Sequence, residues 1–269
     1  MVSGAVRREG FAARVTPDSC RDPVPGRDWF GTLAEWSVLG SDAVSELRER
    51  GLAILPDAVP SGEMEQLAAA YDEAVASATG DDISIGSTST RVTDFFNRGA
   101  EFDRLYMWPP LLEACCRIIA RPFKLSTLHA RTLPPGAAGQ ALHVDVGRHS
   151  SEWPLVGFIL RVDDFRPDNG ATRFVPGSHR WPRAAGDSMT DVVAEHDRQV
   201  LACGSAGSLL VFDGSTWHGH TANVSSEPRR SLQGAVIPRD GRAATDFTAR
   251  MQPETRKRLG PLARYVLAS

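Results

Sequence analysis

Hydrophobic positions along the chain recur with two different periods, and the change falls near Pro122. On the N-terminal side the steps are helical. A helix is predicted from Ser41, where Ser and Asp favour a start, through Val44 and Leu47 to a stop at Gly51. The run from Leu52 to Leu55 reads as a short strand closed by Pro56. Ser61 can cap the clearest helix, in which Met64, Leu67, Ala68, Tyr71 and Val75 recur at three- and four-residue steps until Gly80. Pro109 and Pro110 open another, with Leu112, Cys115, Cys116 and Ile119 along one side. Between these, GDDISIGSTST (80–90) has little to bury and reads as a mobile loop. Residues 1–30, rich in Gly, Pro, Arg and Asp, have no periodicity and read as an irregular arm.

Beyond Pro122 the texture becomes β-like. Short runs at 123–132, 140–146, 155–163, 171–175, 207–212, 214–221 and 230–237 are separated by PPGAAG, RPDNG, PGSH and ACGSAG. Many short strands with turn chemistry between them predict an antiparallel sandwich or barrel rather than βαβ units. A charged segment from Pro253 to Leu267 closes the chain as a predicted helix. The expectation is one domain over 31–269, mainly β with flanking helices, with a jelly-roll core at about 123–240.

Composition narrows the function classes. With 42% hydrophobic and 23% charged residues in 269, the chain is ordinary for a soluble globular protein. Its longest uncharged apolar stretch, Pro154 to Leu160, is far short of the roughly 20 residues that span a bilayer. Arg7, Arg8 and Arg14 precede no continuous apolar run, so no secretory signal is expected. A net charge of −3 without a basic tract gives no reason to expect nucleic-acid or membrane partners. Cys20, Cys115, Cys116 and Cys203 lack CxxC spacing, which suits free thiols in a reducing cytoplasm.

The chemistry begins with His143-Val144-Asp145. On an extended segment residues i and i+2 project the same way, so an imidazole and a carboxylate can chelate one divalent metal. A third ligand must come from elsewhere, and His218 in LLVFDGSTWHGH, at the end of another predicted strand, is the best candidate. Two His and one carboxylate leave positions open on the metal, as in the non-haem Fe(II) facial triad. Alone, an HxD triplet is more often structural than metal-binding. His220 stands as the alternative distal ligand, and two His with a carboxylate suit Zn(II) equally.

From about Arg91 to Arg239 the chain resembles the phytanoyl-CoA dioxygenase family of Fe(II)/2-oxoglutarate-dependent oxygenases. The resemblance rests on RVTDFFNRG (91–99), QALHVD (140–145), DNGATRFVPGSHRWP (168–182) and STWHGHTANVSSEPRRSLQ (215–233), in the family's order. It implies a double-stranded β-helix core and iron held by His143, Asp145 and His218. It also implies 2-oxoglutarate and O2 as co-substrates, with release of succinate and CO2. Arg229, eleven residues beyond His218, is the implied partner of the far 2-oxoglutarate carboxylate, and Gln140, Thr172 and Arg91 are implied further contacts. Alternation places Arg229, Ser231, Gln233 and Ala235 on one inward face, with Arg230 the runner-up. Asp145 in place of a small residue favours oxygenation over halogenation. His179 is expected to be structural, His129 to line the pocket or pack, and His149 and His196 to be solvated. The implied activity is oxidation of an unactivated C–H bond in a small or medium natural product. The rival readings are a cupin-like zinc hydrolase or isomerase and an inactive binding protein on the same fold. Residues 80–110 and 146–154 are the expected substrate wall, with 80–100 as a lid.

Overall fold

The computed structural model describes residues 28–147 and 154–269. Cys20, His149 and most of the expected N-terminal arm lie outside them. Within that arm, Asp28 does not belong to irregular chain: its carboxylate accepts from the Gly31 N–H and caps a helix, α1 (Trp29–Ala34). Next come α2 (Ser41–Arg50), β1 (Leu52–Leu55) and α3 (Met64–Ala76), as the helical periodicity anticipates. Gly51 ends α2 at φ 78°, a left-handed conformation that costs glycine little.

Residues 80–90 are corrected from loop to hairpin. β2 (Ile83–Ile85) and β3 (Thr90–Val92) pair antiparallel, and β3 joins the edge of the main sheet. The reason lies outside the segment. Asp82 at its base accepts from Arg98 (2.8 Å) and Arg250 (2.6 Å), partners far away in sequence. The chain continues through α4 (Asp103–Tyr106), α5 (Pro109–Ile119), β4 (Phe123–Leu133), β5 (Val156–Arg161), β6 (Thr172–Phe174), β7 (Val200–Leu201), β8 (Leu209–Asp213), β9 (His218–His220) and β10 (Arg229–Pro238). After α6 (Phe247–Arg250), the predicted closing helix is two: α7 (Pro253–Arg258) and α8 (Pro261–Leu267). Pro261 cannot continue α7, so the chain restarts there.

Two antiparallel sheets make the jelly roll. The larger runs β1-β8-β5-β10-β4-β3-β2, and the smaller β7-β6-β9. Alternation divides the work. Leu128, Ala130, Phe158, Leu160, Leu232 and Val236 point from the large sheet into the main core, with the helices. The opposite face looks toward the small sheet, where Ile159, Leu210, Phe212 and Phe174 close one end of the interior. In β10, Ser231 lies opposite Arg131, and Gln233 opposite His129. These pairs put a row of polar side chains on the inward face, in the open part of the barrel. The run 140–146, expected as a strand, is extended but pairs regularly only through the His143–His218 bridge.

Candidate metal and co-substrate site

The family-like text around the histidines has local physical reasons. Gly219 sits between His218 and His220, and a Cβ there would lie 2.8 Å from the Gln140 carbonyl and 3.0 Å from that of Ala141. Only glycine lets the segment before His143 approach β9 this closely. His143 and His218 then exchange backbone hydrogen bonds of 2.9 and 3.0 Å. In PGSH, Gly177 takes φ 82° and the Ser178 hydroxyl accepts from the Trp217 N–H at 2.8 Å, which pins the residue before His218. Arg173, buried on β6, donates to the carbonyls of Gln140, Val192 and Ala194 and fixes the other flank. Asn223, fully buried, donates to Leu133, Pro134 and Glu227 carbonyls and fixes the path into β10.

The result brings His143, Asp145 and His218 together, with one ligand atom from each lying within 4.8 Å of the others. His218 Nε2 is 3.7 Å from Asp145 Oδ2, and the two imidazoles lie 4.4 Å apart. His143 Nδ1 faces the Ala141 carbonyl at 3.0 Å, and His218 Nδ1 the Thr216 carbonyl at 2.8 Å. An Nδ1–H donated to a carbonyl leaves Nε2 as a lone pair directed inward, the arrangement a metal-binding histidine needs. Burial pushes the His218 pKa down and keeps the ring neutral. Two imidazoles and a carboxylate fit a divalent transition metal.

His220 is differently engaged. Its Nδ1 donates to the Thr221 carbonyl at 2.9 Å, and its Nε2 meets the Thr88 hydroxyl at 3.2 Å. Burial lowers it to about 3, and no free donor atom remains for a metal. His179 is buried against the Arg48 carbonyl in the turn, as expected of a structural residue. His196 is corrected: it is half-buried and packs against Trp181 and Trp217 at 5.8 and 5.9 Å rather than being solvated.

A cavity of about 290 Å³ opens beside the metal ligands, and Arg91, His129, Gln140, Thr172 and Arg229 all line it. Arg229 is 1% exposed and lies 4.2 Å over the Phe165 ring. Among the described residues it donates to the neutral Ser231 hydroxyl alone, at 3.2 Å, and its Nε has no partner. Burial first, then Arg131, lowers its pKa to about 9. A buried guanidinium without an acid is unusual, because charges removed from water are normally paired. Arg230 points the other way, to Asp163 at 2.7 Å and Asp72 at 2.6 Å, which raise its pKa and saturate it. Thr172 stands opposite His220 on the small sheet.

The sequence reading missed Arg131, which is 8% exposed in the same pocket. It donates to Ser89 at 3.0 Å and to the Gln140 amide oxygen at 3.1 Å, leaving the Gln140 NH2 to face elsewhere. The signal was present in β4, where His129 and Arg131 share a face by alternation. The hairpin turn was missed as well: Thr88 and Ser89 reach His220 and Arg131.

Comparison with known proteins bears on the family and the fold. The sequence profile of the family described as phytanoyl-CoA dioxygenase (PhyH) matches residues 47–231. The dioxygenase cdmA of Talaromyces verruculosus is 35% identical over 121 residues, covering 42% of this chain and 38% of its own. The iron/alpha-ketoglutarate-dependent dioxygenase okaE of Penicillium ochrochloron is 32% identical over 124 residues, covering 42% and 39%. The matched stretch thus spans about two fifths of these curated relatives' length. Among solved structures, the epimerase SnoN in complex with Fe3+, alpha ketoglutarate and nogalamycin RO superposes with a TM-score of 0.62. At 18% identity, covering 79% of this chain and 89% of that one, it supports the fold.

Proposed function

The chain belongs to the phytanoyl-CoA dioxygenase family, and from that premise and the pocket we propose that it is an Fe(II)/2-oxoglutarate-dependent oxygenase. Its substrate is a small or medium organic molecule of secondary metabolism, oxidised at an unactivated C–H bond. The observation that carries this reading is the coexistence, in one cavity, of a His-Asp-His donor set and a fully buried arginine in contact with no acid among the described residues.

His143, Asp145 and His218 would hold the iron through Nε2, a carboxylate oxygen and Nε2. When bound, iron with 2-oxoglutarate and O2 supplies the oxidising power for the C–H bond, with succinate and CO2 released. The chain's own residues do the positioning. Arg229 offers a planar fork to the far carboxylate of 2-oxoglutarate, and Phe165 keeps that guanidinium flat and dry. The Gln140 amide, held by Arg131, and the Thr172 hydroxyl, both lining the cavity, would donate to the co-substrate near the metal. Phe174 and Phe212 pack against His218 at 5.7 and 4.8 Å, holding the imidazole and excluding water from that side.

An anaerobic titration tests this reading. One Fe(II) per chain should bind, and 2-oxoglutarate should then produce a visible charge-transfer band that His218→Ala abolishes and His220→Ala keeps. Tight zinc retention with no 2-oxoglutarate binding would overturn it.

A further inference from the structure

The pocket carries more positive charge than the proposed chemistry uses. Three guanidinium groups, from Arg91, Arg131 and Arg229, line it against a single carboxylate, Asp145, among the described lining residues. A divalent metal and a doubly charged co-substrate cancel one another, so the excess persists when both are bound. Arg229 is accounted for by the far carboxylate. Arg91 and Arg131 are not.

These two stand directly opposite one another on β3 and β4, hence on the same face of the sheet. Like charges opposed in this way repel, and Arg131 is buried besides, so its pKa falls to about 10, through burial first and Arg91 second. The two acceptors of Arg131 among the described residues, Ser89 and Gln140, are neutral. His129 follows two residues before Arg131 on the same inward face, and both arginines bear on it electrostatically. Its Nε2 is shielded from solvent and has no partner, while the Gln233 side chain hydrogen-bonds to the ring. A cation pair whose one nearby acid, among the described lining residues, is the metal-ligating Asp145, flanked by an unpartnered buried nitrogen, is a site built for something that is absent from the chain itself.

We propose that Arg91 and Arg131, with His129 beside them, receive an anionic group of the oxidised substrate, a carboxylate, which makes organic acids the substrate class. This rests on the oxygenase reading above. It moves Arg91 from the co-substrate, where family resemblance places it, to the substrate. The residues lie on the β4 side of the cavity, one and two rows along the β4–β10 ladder from the Leu133–Arg229 pair. The apolar remainder of the molecule would then lie against Leu155 and Ile159, which line the same cavity.

The test uses Zn(II)-loaded protein and calorimetry. 2-Oxoglutarate is titrated first into wild type, Arg131→Gln and Arg91→Gln. Cyclohexanecarboxylate and its neutral isostere cyclohexanecarboxamide are then titrated into each saturated complex. Wild type should bind the acid at least ~10-fold tighter than the amide, the scale of one charge-assisted contact. Each variant should bring that ratio to about threefold or less; Arg91→Gln should keep its 2-oxoglutarate affinity within about threefold of wild type, while Arg131→Gln, which also frees Gln140, should lose less of it than Arg229→Gln does. Arg91 is exposed, so Arg91→Gln keeps the test valid even if Arg131→Gln folds poorly. No preference for the acid in wild type, including no binding of either probe, overturns the proposal. So does an equal loss of 2-oxoglutarate affinity in Arg131→Gln and Arg229→Gln, which would give Arg131 to the co-substrate; in both cases the oxygenase reading stands. Failure of wild type to bind 2-oxoglutarate at all overturns the oxygenase reading, and this inference with it.

Discussion

Replacing Arg229 by Met should improve the fold and destroy co-substrate binding at the same time. The side chain is wholly buried, its partners are a hydroxyl at 3.2 Å and an aromatic face at 4.2 Å, and no carboxylate among the described residues touches it. A drop from the ordinary arginine range to about 9 corresponds, at about 1.36 kcal/mol per unit, to a few kcal/mol of unfavourable burial in the empty protein. Apolar replacements of buried charges have stabilised other proteins by about 1–4 kcal/mol. At roughly 2–4 °C per kcal/mol for a chain near this size, a rise of at least ~2 °C in Tm is expected for Arg229→Met without ligand. The co-substrate sees the opposite. Loss of a charge-assisted, bidentate contact costs about 1.5–3 kcal/mol, or about 10- to 150-fold in affinity. Calorimetric titration of 2-oxoglutarate into Zn(II)-loaded protein, beside thermal melts of the ligand-free protein, reads both effects. Arg229→Lys should rescue binding poorly, since an ammonium is a point charge and not a fork. Unchanged affinity in Arg229→Met, with a large loss in Arg230→Met, would refute the reasoning and move the role to the neighbour.

Three further outcomes follow from the same geometry. His143→Ala and His218→Ala should each lose iron on gel filtration, whereas His220→Ala should retain it, as metal analysis will report; the reverse result at 218 and 220 would reassign the distal ligand. Burial raises Asp213 to about 6, so its contribution to stability is fully present below the unfolded value near 3.8 and is lost as pH rises through about 6. Wild type should therefore lose up to a few kcal/mol relative to Asp213→Asn between pH 4 and 7.5, measured by urea melts, and parallel curves would contradict this. In hydrogen exchange, the paired strands β2 and β3 should be protected, while the turn 86–89 should gain protection when 2-oxoglutarate is added with Zn(II). Identical exchange of the turn in both states would discard the lid.

Much of this site was legible in the sequence because short spacings encode it. The period-2 HxD, the glycine after His218 and the alternation Arg229, Ser231, Gln233 each translate directly into a shared face of an extended segment. What escaped depends on contacts between segments distant in the chain. Residues 80–90 look unable to fold because they bury little, yet Arg98 and Arg250 hold Asp82, and β4 offers an open edge. His196 looks solvated in its polar stretch, and only folding brings Trp181 and Trp217 against it. Arg131 was passed over because its neighbours Ser89 and Gln140 come from different elements. The helical elements were read well where a glycine or proline punctuates them, as at Gly51 and Pro109, and less well where Pro261 divides one charged segment into two helices.

The central claim is that this pocket couples 2-oxoglutarate to O2 through iron held by His143, Asp145 and His218. Aerobic incubation with Fe(II) and 2-oxoglutarate, following succinate release and O2 consumption together, tests it most directly. The account predicts slow, iron-dependent succinate formation matched by O2 uptake in wild type, with none above background in His143→Ala. Iron-replete wild-type protein that binds 2-oxoglutarate but yields no succinate under O2, or succinate formation that persists in His143→Ala, would contradict it.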